Sequence, residues 1–265
     1  MSLLEFTSGA RRLIDAMFDK PPFTLQGRLL APPLTKIKNY STVGTAFGYA
    51  MGLQLRNFNR DLVREFSLVA EDGAKGDKKR KQFLKDFNQR KEAFLKGQLE
   101  IAELMPDCMI LAKLENVARS GRDFPNSEIF DTAEEDIKDL QYLVKLVDRT
   151  SFTAVRRCIL YPRFGQSSLD LGGADADFII DDTLIEIKTT KFLEFRREYF
   201  RQLIGYYILN KREHDMYGEL EKLGIYFSRF AKLFTFPIPI MHWEEKDAWE
   251  TIETVIEAYK EYKRA

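Results

Sequence analysis

The spacing of apolar and polar positions changes character near residue 150. Before it, apolar residues recur three and four apart, the period of helices that bury one face. This spacing predicts helices over 43–58, 59–72, 75–96 and 98–119, the last ending near Gly121. Residues 124–132, FPNSEIFDT, read as a loop. Thr132 and Glu135 have the spacing of a capping box and open a further helix to about Val147. Ahead of all these, Pro21, Pro22, Pro32 and Pro33 predict an irregular, extended segment broken by turns.

After Arg149 the pattern becomes that of strands. Residues 156–164, 175–181 and 183–190 predict three of them, the last two joined by a turn at Asp181 and Asp182. Residues 191–210 predict a long amphipathic helix. Residues 223–230 and 232–240 are aromatic, β-branched strand candidates. Trp249, Ile252 and Ile256 mark a closing helix over 248–265. The expected fold class is α+β: a mainly helical region at 1–130 packed on a core at 131–265.

Composition narrows the chemistry. Lys plus Arg and Asp plus Glu are both 41 in the 265 residues, a net charge of 0. That excludes a uniformly basic nucleic-acid coat and an acidic solvating tail. The charge is unevenly spread, because 75–96 holds nine basic and three acidic residues, a local +6. Such a helix is either a solvated face or a surface for phosphate backbones. With only His214 and His242, a His-rich metal site is nearly excluded, and metal chemistry must rest on carboxylates. Cys108 and Cys158 form no disulfide framework or CxxC site and read as reduced core thiols. No signal-peptide order opens the chain and no run of 18 apolar residues occurs, so a cytoplasmic protein with no membrane span is expected. Gly44, Gly48 and Gly52 fall four apart on one helix face. Close helix packing accounts for that strip, and a backbone approach to a ligand is the other reading.

The densest chemistry lies in 172–191, GGADADFIIDDTLIEIKTTK. Alternation puts Asp175, Asp177 and Ile179 on one face of the first strand, and Leu184, Glu186, Lys188 and Thr190 on one face of the second. A hairpin can then bring Asp177 close to Glu186 and Lys188. Two carboxylates and an ammonium in apolar strands are costly unless used. A hard divalent cation such as Mg²⁺ resolves the repulsion between the carboxylates, and the lysine can orient an attacking water or stabilise developing charge. On the next helix, Phe195, Tyr199, Gln202, Tyr206 and Leu209 form one stripe. Gln202 is the polar residue in it and points inward.

Asp177, then Glu186-Ile187-Lys188, then Gln202 and Tyr206 four apart on a helix, resembles the PD-(D/E)xK nuclease superfamily in its RecB-like branch, over roughly residues 150–230. The resemblance implies a restriction-endonuclease-like core, a mixed sheet flanked by helices, here with a large helical N-terminal elaboration. It implies Mg²⁺- or Mn²⁺-dependent hydrolysis of phosphodiester bonds, usually of DNA. By matching position, Asp177, Glu186 and the main-chain carbonyl of Ile187 are metal ligands and Lys188 is catalytic. Gln202 and Tyr206 support the site or contact substrate. Lys191, Arg196, Arg197 and Arg201 suit a phosphate track along the helix, or are a solvated face.

The chain departs from the family pattern in two places. Ala176 stands where a proline is common. The histidine that RecB-like members often carry in a Gly-xxx-His setting is Gly48 in Gly44-Thr-Ala-Phe-Gly48. Glu134 or Glu135 can replace it, and Asp175 is an additional candidate ligand. A helicase or other ATPase partner, in repair or in defence against foreign DNA, is implied by the family alone. The competing readings are a catalytically inactive nuclease fold that binds nucleic acid or a protein partner, and a structural α+β protein in which Lys188 only pairs with a carboxylate.

Overall fold

In a computed structural model, residues 8–34, 39–171 and 173–264 are described. The helical spacing of the first half forms α2 (Tyr40–Phe58), which buries Val43, Ala46, Phe47, Ala50 and Met51. Asn59 ends it: its side-chain amide donates to the Leu55 and Phe152 carbonyls, and its carbonyl oxygen accepts from the Ala154 N–H. The chain thereby leaves the helix before 63, against the helical expectation for 59–72. It forms a short strand, β1 (Val63–Glu65), and a single turn of helix, α3 (Val69–Gly73). Local apolar period lost there to fixed side-chain hydrogen bonds and a distant strand partner.

The basic stretch is α4 (Lys78–Leu95), opened by Asp77, whose carboxylate accepts from the Arg80 N–H at 2.9 Å. Next comes α5 (Met105–Ser120), which carries Pro106 in its first turn and stops at Gly121 in the left-handed conformation. The expected loop at 124–132 contains a short helix, α6 (Asn126–Ile129). In α7 (Glu134–Lys145) the cap is Ala133, with no side-chain cap, so the Thr132–Glu135 capping box does not form. Three acidic residues in the first turn favour that helix end instead. The proline-rich start also hides a helix, α1 (Ser8–Met17), that the turn signals masked.

The second half supplies β2 (Cys158–Leu160), α8 (Gly165–Asp170), β3 (Phe178–Ile180), β4 (Thr183–Lys188), α9 (Arg197–Arg212), β5 (Lys222–Phe227), β6 (Lys232–Pro237) and α10 (Glu245–Arg264). The strands form one open mixed sheet in the order β1-β2-β3-β4-β5-β6. The β1–β2 and β4–β5 pairs are parallel and the other three are antiparallel. The edge strand β1 comes from within the first 130 residues, so that region takes part in the sheet as well as packing on it.

Helices cover both faces. On one, Phe178, Ile180, Ile185, Ile187 and Tyr226 join a core with α2, α5 and α7. On the other, Ile159, Ile179, Leu184, Leu223 and Ile225 join α1, α9 and α10. The molecule is thus mixed α+β, a six-stranded open sheet flanked by helices. Both cysteines are buried and free, and burial pushes the Cys158 thiol up to about 12. Among the described residues no helix is long and apolar enough to cross a membrane.

Candidate active site

The β3–β4 hairpin closes through Asp181 and Asp182. Asp181 adopts φ +53 and its carboxylate accepts from the backbone N–H groups of Val155, Arg156 and Arg157. This fixes the register, with Phe178 opposite Ile185 and Ile179 opposite Leu184. One step further, Asp177 falls opposite Glu186. Its Oδ2 accepts from the Ile187 N–H at 2.6 Å, which anchors the carboxylate just beyond the end of β3.

Glu186 is 8% exposed. Its Oε1 accepts from both Lys188 Nζ, at 2.9 Å, and Gln202 Nε2, at 2.8 Å. Lys188 Nζ donates to Gln202 Oε1 at 2.8 Å, and Gln202 Nε2 donates to Tyr206 Oη at 2.9 Å. Gln202 therefore uses its acceptor on the lysine and its donors on the glutamate and the tyrosine. The inward polar residue of the helical stripe is the hub of the net. Lys188 Nζ also lies 5.0 Å from the centre of the Tyr199 ring.

The electrostatics are those of buried charges set close together. Burial, then the Glu186 charge, pushes the Asp177 carboxyl well above the usual carboxylate range, against the Ile187 N–H and Lys188. Burial alone would lower Lys188. The Glu186 carboxylate beside it reverses the sign and holds the ammonium above the ordinary lysine range. Burial, reinforced by Glu186, raises the Tyr206 hydroxyl, so it stays neutral.

These groups line one wall of a cleft of about 560 Å³. Another wall is α2, where Gly44 and Gly48 of the glycine strip face the site. A Cβ on Gly44 would lie 3.5 Å from Thr189, and one on Gly48 3.7 Å from Asp177 Oδ1. One on Gly52 would lie 1.9 Å from the Tyr161 hydroxyl. The strip is thus both a close packing of helix on strands and a bare backbone wall beside the carboxylates. Gly48, at the position where the resemblance expects a histidine, faces Asp177 with no side chain.

Other expected residues lie elsewhere. Glu134 is exposed and pairs with Lys138 at 2.6 Å, and neither it nor Glu135 lines the cleft, because α7 turns Asp136, Asp139, Leu140 and Leu143 inward. The carboxylate that does reach the cleft from a helix is Glu115 of α5. It accepts from the Tyr49 hydroxyl at 2.6 Å and from Arg119 Nε at 2.6 Å, and Arg119 also donates to Asp175 at 2.8 Å. In the sequence Glu115 and Arg119 show only the i,i+4 spacing of an ordinary helix pair.

The phosphate track expected from Lys191, Arg197 and Arg201 is not on the cleft wall. The helix starts at Arg197 rather than 191, since the Phe192 N–H bonds the Thr190 hydroxyl in a turn and Lys191 stays exposed there. Arg201 and Arg197 both pair with Asp15, brought by α1.

Among the described residues no group of three or more His, Cys, Asp or Glu side chains is arranged to hold a metal ion. The carboxylates of Asp177 and Glu186 line the cleft at the hairpin, with Ile187 beside them. No family model, curated protein or solved structure matches the chain.

Proposed function

We propose that the protein is a divalent-metal-dependent nuclease with a restriction-endonuclease-like core, hydrolysing phosphodiester bonds of DNA. The observation that carries this reading is the shared Glu186 Oε1, bonded by Lys188 and Gln202 and set opposite Asp177 on the neighbouring strand. A purely structural ion pair needs no second buried carboxylate, no glutamine hub and no open cleft.

The donors fit Mg²⁺ or Mn²⁺. Asp177, Glu186 and the Ile187 carbonyl are hard oxygen ligands, and Mg²⁺ is commonly held by one or two carboxylates with substrate phosphate and water. Burial, with the Glu186 charge beside it, pushes Asp177 toward its neutral form, and a bound cation would offset both. When bound, such a cation supplies Lewis-acid polarisation of the phosphoryl group. The chain's own residues do the rest. Lys188, kept charged, stabilises negative charge developing on the phosphate and orients the attacking water. Gln202 holds the lysine in place, and Tyr206 holds Gln202. A helicase or other ATPase partner, in repair or defence against foreign DNA, is part of the same proposal.

The test is cleavage of linear, nicked and single-stranded DNA with Mg²⁺ or Mn²⁺, alongside Glu186→Ala and Lys188→Ala. Each variant is expected to lose on the order of 10²-fold or more in rate. Wild-type rates in both variants would overturn the reading. The bare Gly48 beside Asp177 favours, as a second reading, an inactive nuclease fold. DNA binding with no cleavage in either metal is its signature.

A further inference from the structure

The cleft is lined by four carboxylates, Glu115, Asp175, Asp177 and Glu186, and by three cationic side chains, Arg119, Arg163 and Lys188. Two of the cations are satisfied within the chain. Arg119 lies between Glu115 and Asp175, and Lys188 pairs with Glu186. Arg163 differs: among the described residues it has no ion pair, although it is half-buried in the same cleft. Its backbone is fixed. It forms an antiparallel bridge with Asp175, and its carbonyl accepts from the Tyr217 hydroxyl. The flanking residues are stitched to the same segment, the Tyr161 N–H to the Asp177 carbonyl at 2.9 Å and the Ala176 N–H to the Pro162 carbonyl at 3.2 Å. Arg163 therefore stands across from Asp175, two residues or roughly 7 Å along the strand from Asp177.

A guanidinium in a cleft, carried on a fixed backbone and lacking a carboxylate, is a receptor for an anion from outside. Its fork of donors matches phosphate oxygens two at a time. The carboxylate pair needs no such cation, since repulsion there is relieved by a metal. We infer that Arg163 binds a phosphate group of the nucleic-acid strand next to the one at Asp177 and Glu186, and so sets the strand's position in the cleft. This rests on the nuclease reading for the identity of the anion.

The experiment measures binding without divalent metal, in EDTA, by fluorescence anisotropy of a labelled single-stranded oligodeoxynucleotide over a range of salt. Arg163→Ala is expected to weaken binding about tenfold or more. The dependence of log K on log salt should become shallower by about 0.7, one phosphate's worth for a single strand. Arg163→Lys, which keeps the charge but not the fork, should retain the slope and recover only part of the affinity. Equal losses with 5′-hydroxyl and 5′-phosphorylated strands assign an internal phosphodiester; loss confined to the latter assigns a terminal phosphate. Both outcomes support an anion site at Arg163. Affinity and slope of Arg163→Ala equal to wild type would overturn it, even if the wild type cleaves DNA. Weakened binding by Arg163→Ala in a protein that cleaves nothing would leave the inference standing and sink the nuclease reading. Because the anchoring contacts of Arg163 are main-chain, the variant's thermal unfolding should match the wild type.

Discussion

The ion pair between Arg229 and Asp139 offers a sharp test of how the helical layer is held to the sheet. The two side chains are 2% and 1% exposed, with contacts of 3.0 and 2.6 Å that use both carboxylate oxygens. Arg229 also donates to the Ala31 carbonyl, and its own carbonyl accepts from the Leu30 and Ala31 N–H groups. Asp139→Ala leaves a buried guanidinium with that one carbonyl as its remaining partner among the described residues. Breaking a buried pair from one side typically costs about 3–5 kcal/mol. For a chain of this size each kcal/mol moves Tm by roughly 2–4 °C, so the expected fall is on the order of 10 °C. Urea unfolding followed by circular dichroism should show a lower midpoint at unchanged slope. The double variant Asp139→Leu, Arg229→Met removes the orphaned charge and should recover most of the loss. A single variant within about 1 kcal/mol of wild type, or a double variant worse than the single, would refute the account.

Three further outcomes follow from the site. Gly52→Ala places a methyl 1.9 Å from the Tyr161 hydroxyl. It should destabilise by about 1–3 kcal/mol despite better helix propensity, and a neutral or stabilised variant in thermal unfolding would show that the two walls have slack. The Asp177 carboxyl sits above its ordinary value of 3.8, so between the two values the folded chain holds a proton the unfolded chain has lost. Stability therefore falls as pH rises from about 4 through the folded value and is level above it. Asp177→Asn should remove that slope, seen as a pH-dependent difference in Tm between variant and wild type; a constant difference would contradict it. Arg201→Ala breaks the Asp15 pair and should cost about 1–2 kcal/mol, while oligonucleotide binding stays within twofold. A tenfold loss of binding would put the residue back on the substrate path.

The parts of the molecule legible in the sequence are those whose cause is local. Asp177, Glu186 and Lys188 are joined by a two-residue turn, so alternation alone brings them together. Gln202 follows from one helical stripe, and the structure bonds it to both Glu186 and Lys188. What escaped has distant causes. The strand β1 is three residues long and exists because β2 lies beside it; Asn59 stops the preceding helix through bonds to Phe152 and Ala154. The helix α1 buries Ile14 and Met17 against α9 and α10, and its Asp15 turns Arg197 and Arg201 away from the cleft. Glu115 reaches the cleft because α5 packs against α2 and α3, a contact no spacing in the sequence announces.

The placement of β1 also bears on how the chain folds. Its parallel partner begins 93 residues after its own end at Glu65. Closing a flexible loop of that length costs about 4 kcal/mol of chain entropy before any pairing rewards it. The helices between them must condense first and shorten that span. During synthesis, β1 leaves the ribosome as an unpaired edge and waits for Cys158 to emerge. Three residues with Arg64 exposed at the centre are a poor template for another chain, which protects the wait. Sealing the sheet at β1 is thus expected to be among the last steps of folding, so a slow refolding phase should appear in probes of β1 and not in those of the β3–β4 hairpin.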